Sequence, residues 1–170
     1  ARLEYVLEAL EPLGLETLEA PLVSNENLLR VHPERHISAI CRAAPQSGWS
    51  SLDVDTHMSS GTLTAALRAA GGAIRAVDIV MTGEARNVFV ATRPPGHHCE
   101  REIAMGFCFF GNVALAAKYA LDHYGLKRVA IVDFDVHHGN GTQDLVKSDS
   151  RIFFASSHQM PLYPGTGHAH

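Results

Sequence analysis

The chain has 170 residues, 46% hydrophobic and 19% charged, the balance of a globular domain and not of a disordered tail. With 14 Lys and Arg against 18 Asp and Glu, its formal charge of −4 offers no footprint for gripping a phosphate backbone, so direct nucleic-acid binding is not expected. No apolar run approaches the roughly 20 residues of a membrane span, so no membrane partner is expected either.

Residues 1–10 place Leu3, Val6, Leu7 and Leu10 on one helical stripe, and Glu11-Pro12-Leu13-Gly14 breaks it. Nothing caps this helix from in front, so an earlier natural start is expected. A second short helix is predicted over residues 33–44, closed by Pro45-Gln46-Ser47-Gly48. The stretch to about Gly61 reads as loop. Residues 62–82, with Leu63, Leu67, Ala70, Ile74, Val77 and Val80 at helical spacing, predict a long helix in which Gly71-Gly72 marks close packing.

Beyond Gly83 three short β-branched or aromatic runs, residues 87–92, 129–134 and 151–156, predict strands. Helical patterns at residues 112–124 and 142–147 separate them. Strand, helix, strand, helix, strand implies an α/β fold with a parallel sheet, its strands apolar on both faces because helices cover both. One domain is expected. The three cysteines, Cys41, Cys99 and Cys108, form no CxxC pair and are expected to be reduced thiols of a cytoplasmic protein.

Ligands in open α/β sheets collect beyond the carboxyl ends of the strands. There the sequence gathers Arg93-Pro94-Pro95-Gly96-His97-His98, then Asp133-Phe134-Asp135-Val136-His137-His138-Gly139-Asn140-Gly141, then Ser156-Ser157-His158. In Asp133-Phe134-Asp135-Val136-His137 polar and apolar residues alternate, so an extended chain sends the three polar side chains to one side. Two of them can share a metal, since a carboxylate oxygen and an imidazole nitrogen suit Zn²⁺. The alternative is an Asp and a His capping the following helix. His97-His98 also admits a plain reading as loop histidines after a rigid turn, but beside a metal-bound water a histidine can take one proton and return another.

Three segments, Arg93-Pro94-Pro95-Gly96-His97-His98, Gly106-Phe107-Cys108-Phe109-Phe110-Gly111-Asn112-Val113-Ala114 and residues 132–143, resemble successive signature blocks of the histone deacetylase family. Tyr163-Pro164-Gly165-Thr166-Gly167 resembles a fourth, and the flavour is closer to class II and the bacterial deacetylase-like or acetylpolyamine amidohydrolase branch. The resemblance implies a three-layer arginase/deacetylase-like fold, here incomplete, truncated at both ends and comprising the N-terminal half of a catalytic domain over residues 1–170. It implies zinc-dependent hydrolysis of an acetylated protein or a small acetylated amine, with Asp135 and His137 as zinc ligands. His98 would be the general base and then acid, and His97 its electrostatic partner near the acetyl oxygen. Asp133 would orient His97 and, with main-chain oxygens of Asp135 and His137 and the Ser156-Ser157 segment, help hold a structural K⁺. Gly106 and Phe107 would line the acyl-lysine tunnel, and Asp55 would grip the substrate at the rim. Asn140 stands where other branches have an Asp behind the second histidine. Gly111 also departs from the usual Asn or acidic residue.

The family's third metal ligand, an Asp, and its oxyanion-stabilising residue would lie beyond residue 170. No acidic residue follows Asp149, so this fragment alone is expected to be inactive. A manganese ureohydrolase of the arginase kind would want Asp-x-His-x-Asp, and position 139 is Gly. A catalytically inactive acyl-lysine binding or scaffold derivative is the other alternative. His168 and His170 form an H-x-H pair, and His32 and His36 lie four apart; both pairs read as structural.

Overall fold

The structure is a computed structural model that describes residues 2–168. Helix α1 (Arg2–Leu10) forms as its stripe predicts, but none of its residues is buried, and Leu7 is exposed. A 3-10 turn over Glu11–Leu13 ends it, with Gly14 in the left-handed conformation at φ 59°. A single-turn helix α2 (Asn25–Leu28) follows, capped by the Ser24 hydroxyl accepting from the Asn27 N–H. Pro33, which lacks an N–H that a helix start would leave unpaired, precedes α3 (Glu34–Ala43).

Residues 45–61, expected as loop, contain a short antiparallel pair, β1 (Trp49–Ser51) and β2 (His57–Ser59), with Ser50 opposite Met58. The expectation fails because one buried residue, Met58, anchors β2 while the solvent-facing positions are polar. Such a strand leaves little apolar signal.

Helix α4 (Thr62–Thr82) spans the predicted range and ends on Gly83 at φ 79°. The close packing at its middle glycines is explicit. A Cβ on Gly71 would meet the Pro21 carbonyl oxygen at 2.0 Å, and one on Gly72 would meet Val90 at 3.3 Å. Two extended segments therefore press on this helix, the first fixed by the Val23 N–H donating to the Leu67 carbonyl at 3.1 Å.

The strand expected over residues 87–92 is absent. The segment brings Val88, Val90 and Thr92 to an apolar cleft lined also by α4, helix α5 (Asn112–His123) and Val129. Its β-branched residues serve packing on helices, not a ladder. The remaining two strands, β3 (Val129–Asp133) and β4 (Ile152–Ser156), pair in parallel with Asp133 opposite Ser156, joined by α6 (Asn140–Val146). Ile131, Ile152 and Phe154 pack into the core with Leu115, Phe110 and Leu145. The other face of this sheet, bearing Val132 and Phe153, is open, so helices cover one face of the two strands among the described residues and not both. Among the described residues, no helix is long and apolar enough to cross a membrane.

His32 and His36 stack at 4.6 Å between ring centroids inside this core, with Cys99 beside them. The three donor atoms lie close enough to hold a metal, yet backbone groups already engage them. His32 Nδ1 faces the Arg101 carbonyl at 3.0 Å and must donate, leaving Nε2 to accept from the Gly111 N–H at 2.9 Å, while His36 Nε2 meets the Phe109 carbonyl at 2.9 Å. These bonds pin the loop before α5.

Burial, against a smaller raising effect from its bond to the Arg101 carbonyl, pushes His32 down to about 4. Above about pH 6.5 the ring is neutral both folded and unfolded, and it costs nothing. Between that value and about 4 the unfolded chain takes up a proton that the folded one refuses, so stability falls as pH falls, by about 3 kcal/mol in all for this group. In the intact protein, the urea midpoint should therefore drop between pH 7 and 5, and His32→Gln should flatten that slope. An unchanged slope would remove His32 as its cause.

Candidate active site

The loop after residue 92 is held from two sides. A Cβ on Gly96 would meet the Asn112 N–H nitrogen at 2.7 Å, so the loop lies flat on the start of α5. From the other side the Thr142 N–H, in the first turn of α6, donates to the His97 carbonyl at 3.1 Å. A Cβ on Gly141 would strike the Cys99 carbonyl oxygen at 2.3 Å, so α6 begins directly on the His98-Cys99 peptide. His97 and His98 are thus fixed where β3 runs out.

Beyond Asp133 the chain bends, but the alternation survives. Phe134 and Val136 are exposed, while Asp133, Asp135 and His137 turn towards the two histidines. His97 and His98 stand 3.9 Å apart between ring centroids, and His98 and His137 stand 5.7 Å apart. His137 Nδ1 lies 3.0 Å from Asp135 Oδ1, and His97 Nε2 lies 4.0 Å from the same oxygen. His97, His98, Asp135 and His137 therefore stand together. His138 faces away, towards Thr166 at 2.8 Å and the His158 ring.

Each histidine of the pair is tethered at Nδ1, while Nε2 of His97 lies against Asp135. His97 Nδ1 bonds Asp133 Oδ2 at 3.0 Å, and His98 Nδ1 bonds Asn140 Oδ1 at 2.8 Å. Burial lowers the pKa of His98 from its ordinary value, against the Asn140 bond, which raises it. His98 is therefore a neutral base at neutral pH. Burial works to raise both Asp133 and Asp135. For Asp133 the bond and charge of His97 with the Asp135 N–H together outweigh it, and for Asp135 the N–H and ring of His137 with the nearby His97 together do, so both carboxyls are lowered from their ordinary value.

Asp135 Oδ1 and His137 Nδ1 are a carboxylate oxygen and an imidazole nitrogen on one partly exposed edge, a donor pair of the kind zinc takes. Their 3.0 Å separation is near the ~3.3 Å that two ligands about 2.0–2.1 Å from one tetrahedral ion would show. A catalytic site of this type needs about three protein ligands, and Asp135 and His137 would be two of them. Ser156 lies opposite Asp133 in the strand register, and the Ser157 N–H donates to the Asp133 carbonyl at 2.9 Å. The second strand end is therefore brought against Asp133, as expected.

Gly106 lies flat on His98, where a Cβ would meet the ring at 2.5 Å. Phe107 next to it adopts φ 65°, the one non-glycine among the described residues in the left-handed region, and its ring is exposed. Such strain persists where the surroundings hold it. Here the buried Thr56 hydroxyl accepts from the Phe107 N–H at 3.1 Å and donates to Asp55 at 3.0 Å. Nothing in the sequence assigns Thr56 a role. Its signal is only its place next to an acidic residue.

Two other residues have no role in the sequence reading, although Tyr163 opens its fourth segment. Tyr163 packs edge-on against His98 at 4.9 Å and faces His137 at 6.2 Å, placing an aromatic ring beside both. Burial, with the charges of Asp55 and Asp53, raises its hydroxyl to about 12. Glu100 accepts from Asn140 Nδ2 at 2.8 Å behind His98. His168 is exposed and contacts the Gly165 carbonyl, and His170 lies outside the described residues. Cys41, Cys99 and Cys108 are free thiols.

With this geometry in place, comparison with known proteins is direct. The model of the histone deacetylase domain matches residues 1–170. A probable deacetylase of Archaeoglobus fulgidus is 42% identical over 98% of this chain and 47% of its own length. The histone deacetylase-like amidohydrolase of Pseudomonas aeruginosa is 43% identical over 88% of this chain and 39% of its own. The polyamine deacetylase HDAC10 of Mus musculus is 38% identical over 93% and 25%. The crystal structure of the HDA15 HD domain superposes with a TM-score of 0.92 at 35% identity, covering 98% of this chain and 50% of that one. The chain thus spans half the length, or less, of these relatives.

Proposed function

The chain belongs to the histone deacetylase family, and from that premise we propose that the intact protein hydrolyses an acetyl-amide, in acetyl-lysine or an acetylated polyamine, to acetate and a free amine. The observation that carries this reading is the convergence of His98, tethered at Nδ1 and open at Nε2, with the donor pair Asp135 and His137.

Asp135 and His137 would hold zinc, completed by a ligand outside this chain. When bound, zinc supplies a Lewis acid for the acetyl carbonyl and brings the pKa of a bound water down towards about 7. His98 Nε2 takes the proton from the attacking water and gives it to the amine nitrogen as the C–N bond breaks. His97, held by Asp133, faces the acetyl oxygen. Phe107 and Tyr163 would flank the aliphatic stem and exclude water, with Gly106 leaving room between the ring of His98 and the substrate. Asp133 and the Ser156-Ser157 segment would hold K⁺ behind His97, a structural role.

The test is acetate release by the intact, zinc-loaded protein from an acetyl-lysine peptide and from an acetylpolyamine. Release from at least one, lost on chelation and restored by zinc, is expected, and the ratio of the two assigns substrate class. A zinc-loaded protein that releases acetate from neither would refute the reading.

A further inference from the structure

Asn140 is an amide where a carboxylate would fix the tautomer of His98 unaided. A carboxylate can only accept, so an imidazole nitrogen facing it must carry the proton. An amide has two ends. If its oxygen faces His98 Nδ1, the proton sits there and Nε2 is a base. If its NH₂ turns to His98 instead, the proton moves to Nε2 and the base is lost. Something must hold the amide one way.

The structure shows what does. The Asn140 side chain is buried, and its Nδ2 donates to Glu100 Oε1 at 2.8 Å, with Met105 Sδ at 3.5 Å. Its Oδ1 meets His98 Nδ1 at 2.8 Å. Reversing the amide would set its oxygen against a carboxylate oxygen, two acceptors with no proton between them. The Glu100 turn is itself fixed. Its N–H donates to the Ile103 carbonyl at 3.0 Å, the Arg101 N–H donates to Asp144 at 3.0 Å, and the Arg101 carbonyl accepts from His32 at 3.0 Å.

We propose that Glu100 is the positioning residue that sets the His98 tautomer, its carboxylate orienting the Asn140 amide so that His98 carries its proton on Nδ1 and presents Nε2 to the substrate. Its consequence for turnover rests on the deacetylase reading; the tautomer itself does not. Glu100 acts on His98 through Asn140. The sequence pattern shows an Asn in place of an acid behind the histidine, and the acid stands one bond further back.

The experiment compares wild type, Glu100→Ala and Glu100→Ala with Asn140→Asp in the intact protein. Imidazole ¹⁵N shifts of His98, recorded at about pH 8 where an ordinary histidine is neutral, report the tautomer without any substrate. Wild type should show the Nδ1–H form. E100A should shift His98 towards the Nε2–H form and lower kcat by about tenfold or more with KM nearly unchanged. The ceiling for a histidine held in the wrong tautomer is about 10⁴-fold. The carboxylate that Asn140→Asp introduces in the double variant can only accept, so it should restore both the Nδ1–H form and turnover, which a loop damaged by the loss of Glu100 would not allow. Retention of Nδ1–H in E100A, or failure of the double variant to recover it, would overturn the proposal. Should wild type turn over no acetyl-amide, the deacetylase reading fails while the ¹⁵N comparison still decides the role of Glu100.

Discussion

Replacing His98 by Ala in the intact protein is expected to lower turnover by roughly 10²- to 10⁴-fold, the usual worth of a positioned proton donor and acceptor, while metal content stays that of wild type. The side chain is almost fully buried, at 4% exposure, with Nδ1 engaged by Asn140 and Nε2 turned to the site, so its removal takes away the base without touching Asp135 or His137. Neighbouring His97 is a poor substitute. Its Nδ1 is bonded to Asp133 and its Nε2 already lies 4.0 Å from Asp135 Oδ1. The pH dependence follows from the same geometry. Burial lowers the pKa of His98, so the base is free at neutral pH and turnover should fall only on acidification below the ordinary imidazole range. Steady-state kinetics alongside metal analysis of the same preparation checks both halves. A His98→Ala protein that kept full turnover would move the general base elsewhere.

The site was legible in the sequence where one chain segment holds several of its parts. Asp133, Asp135 and His137 alternate with apolar residues, and the structure keeps them on one side even though the strand stops at Asp133. Parts built by contact between distant segments left no such mark. Thr56 supports Phe107 across 51 positions, and Glu100 reaches His98 only through Asn140, 40 positions on. Composition also misled where packing overrides it. Residues 87–92 have the β-branched content of a strand, but their partners are the faces of α4 and α5, and a hydrophobic run cannot show whether a helix or a strand receives it. The antiparallel pair β1–β2 is the converse, a ladder whose one buried side chain is Met58 while Trp49 is exposed.

Replacing Asp135 by Ala should have the opposite signature to loss of His98: metal content near zero, with loss of turnover as its result. Asp135 Oδ1 accepts from the His137 N–H at 2.8 Å and faces His137 Nδ1 at 3.0 Å, so the carboxylate both offers a ligand and fixes the turn that presents the second. Without it, one imidazole remains of the pair this chain provides, and that imidazole loses the bond that aims it. The charge matters as well. The His137 N–H and ring, with the nearby His97, together outweigh burial and lower the Asp135 carboxyl from its ordinary value, so it remains an anion where zinc binding competes with protons. Asp135→Asn keeps the shape and an oxygen but removes the charge, and should weaken zinc binding by less than Asp135→Ala does. Zinc titration of the three intact proteins, read by metal analysis after desalting, orders them. If Asp135→Ala retains one zinc per chain as firmly as wild type, Asp135 is not a ligand, and the metal belongs to a different set of side chains.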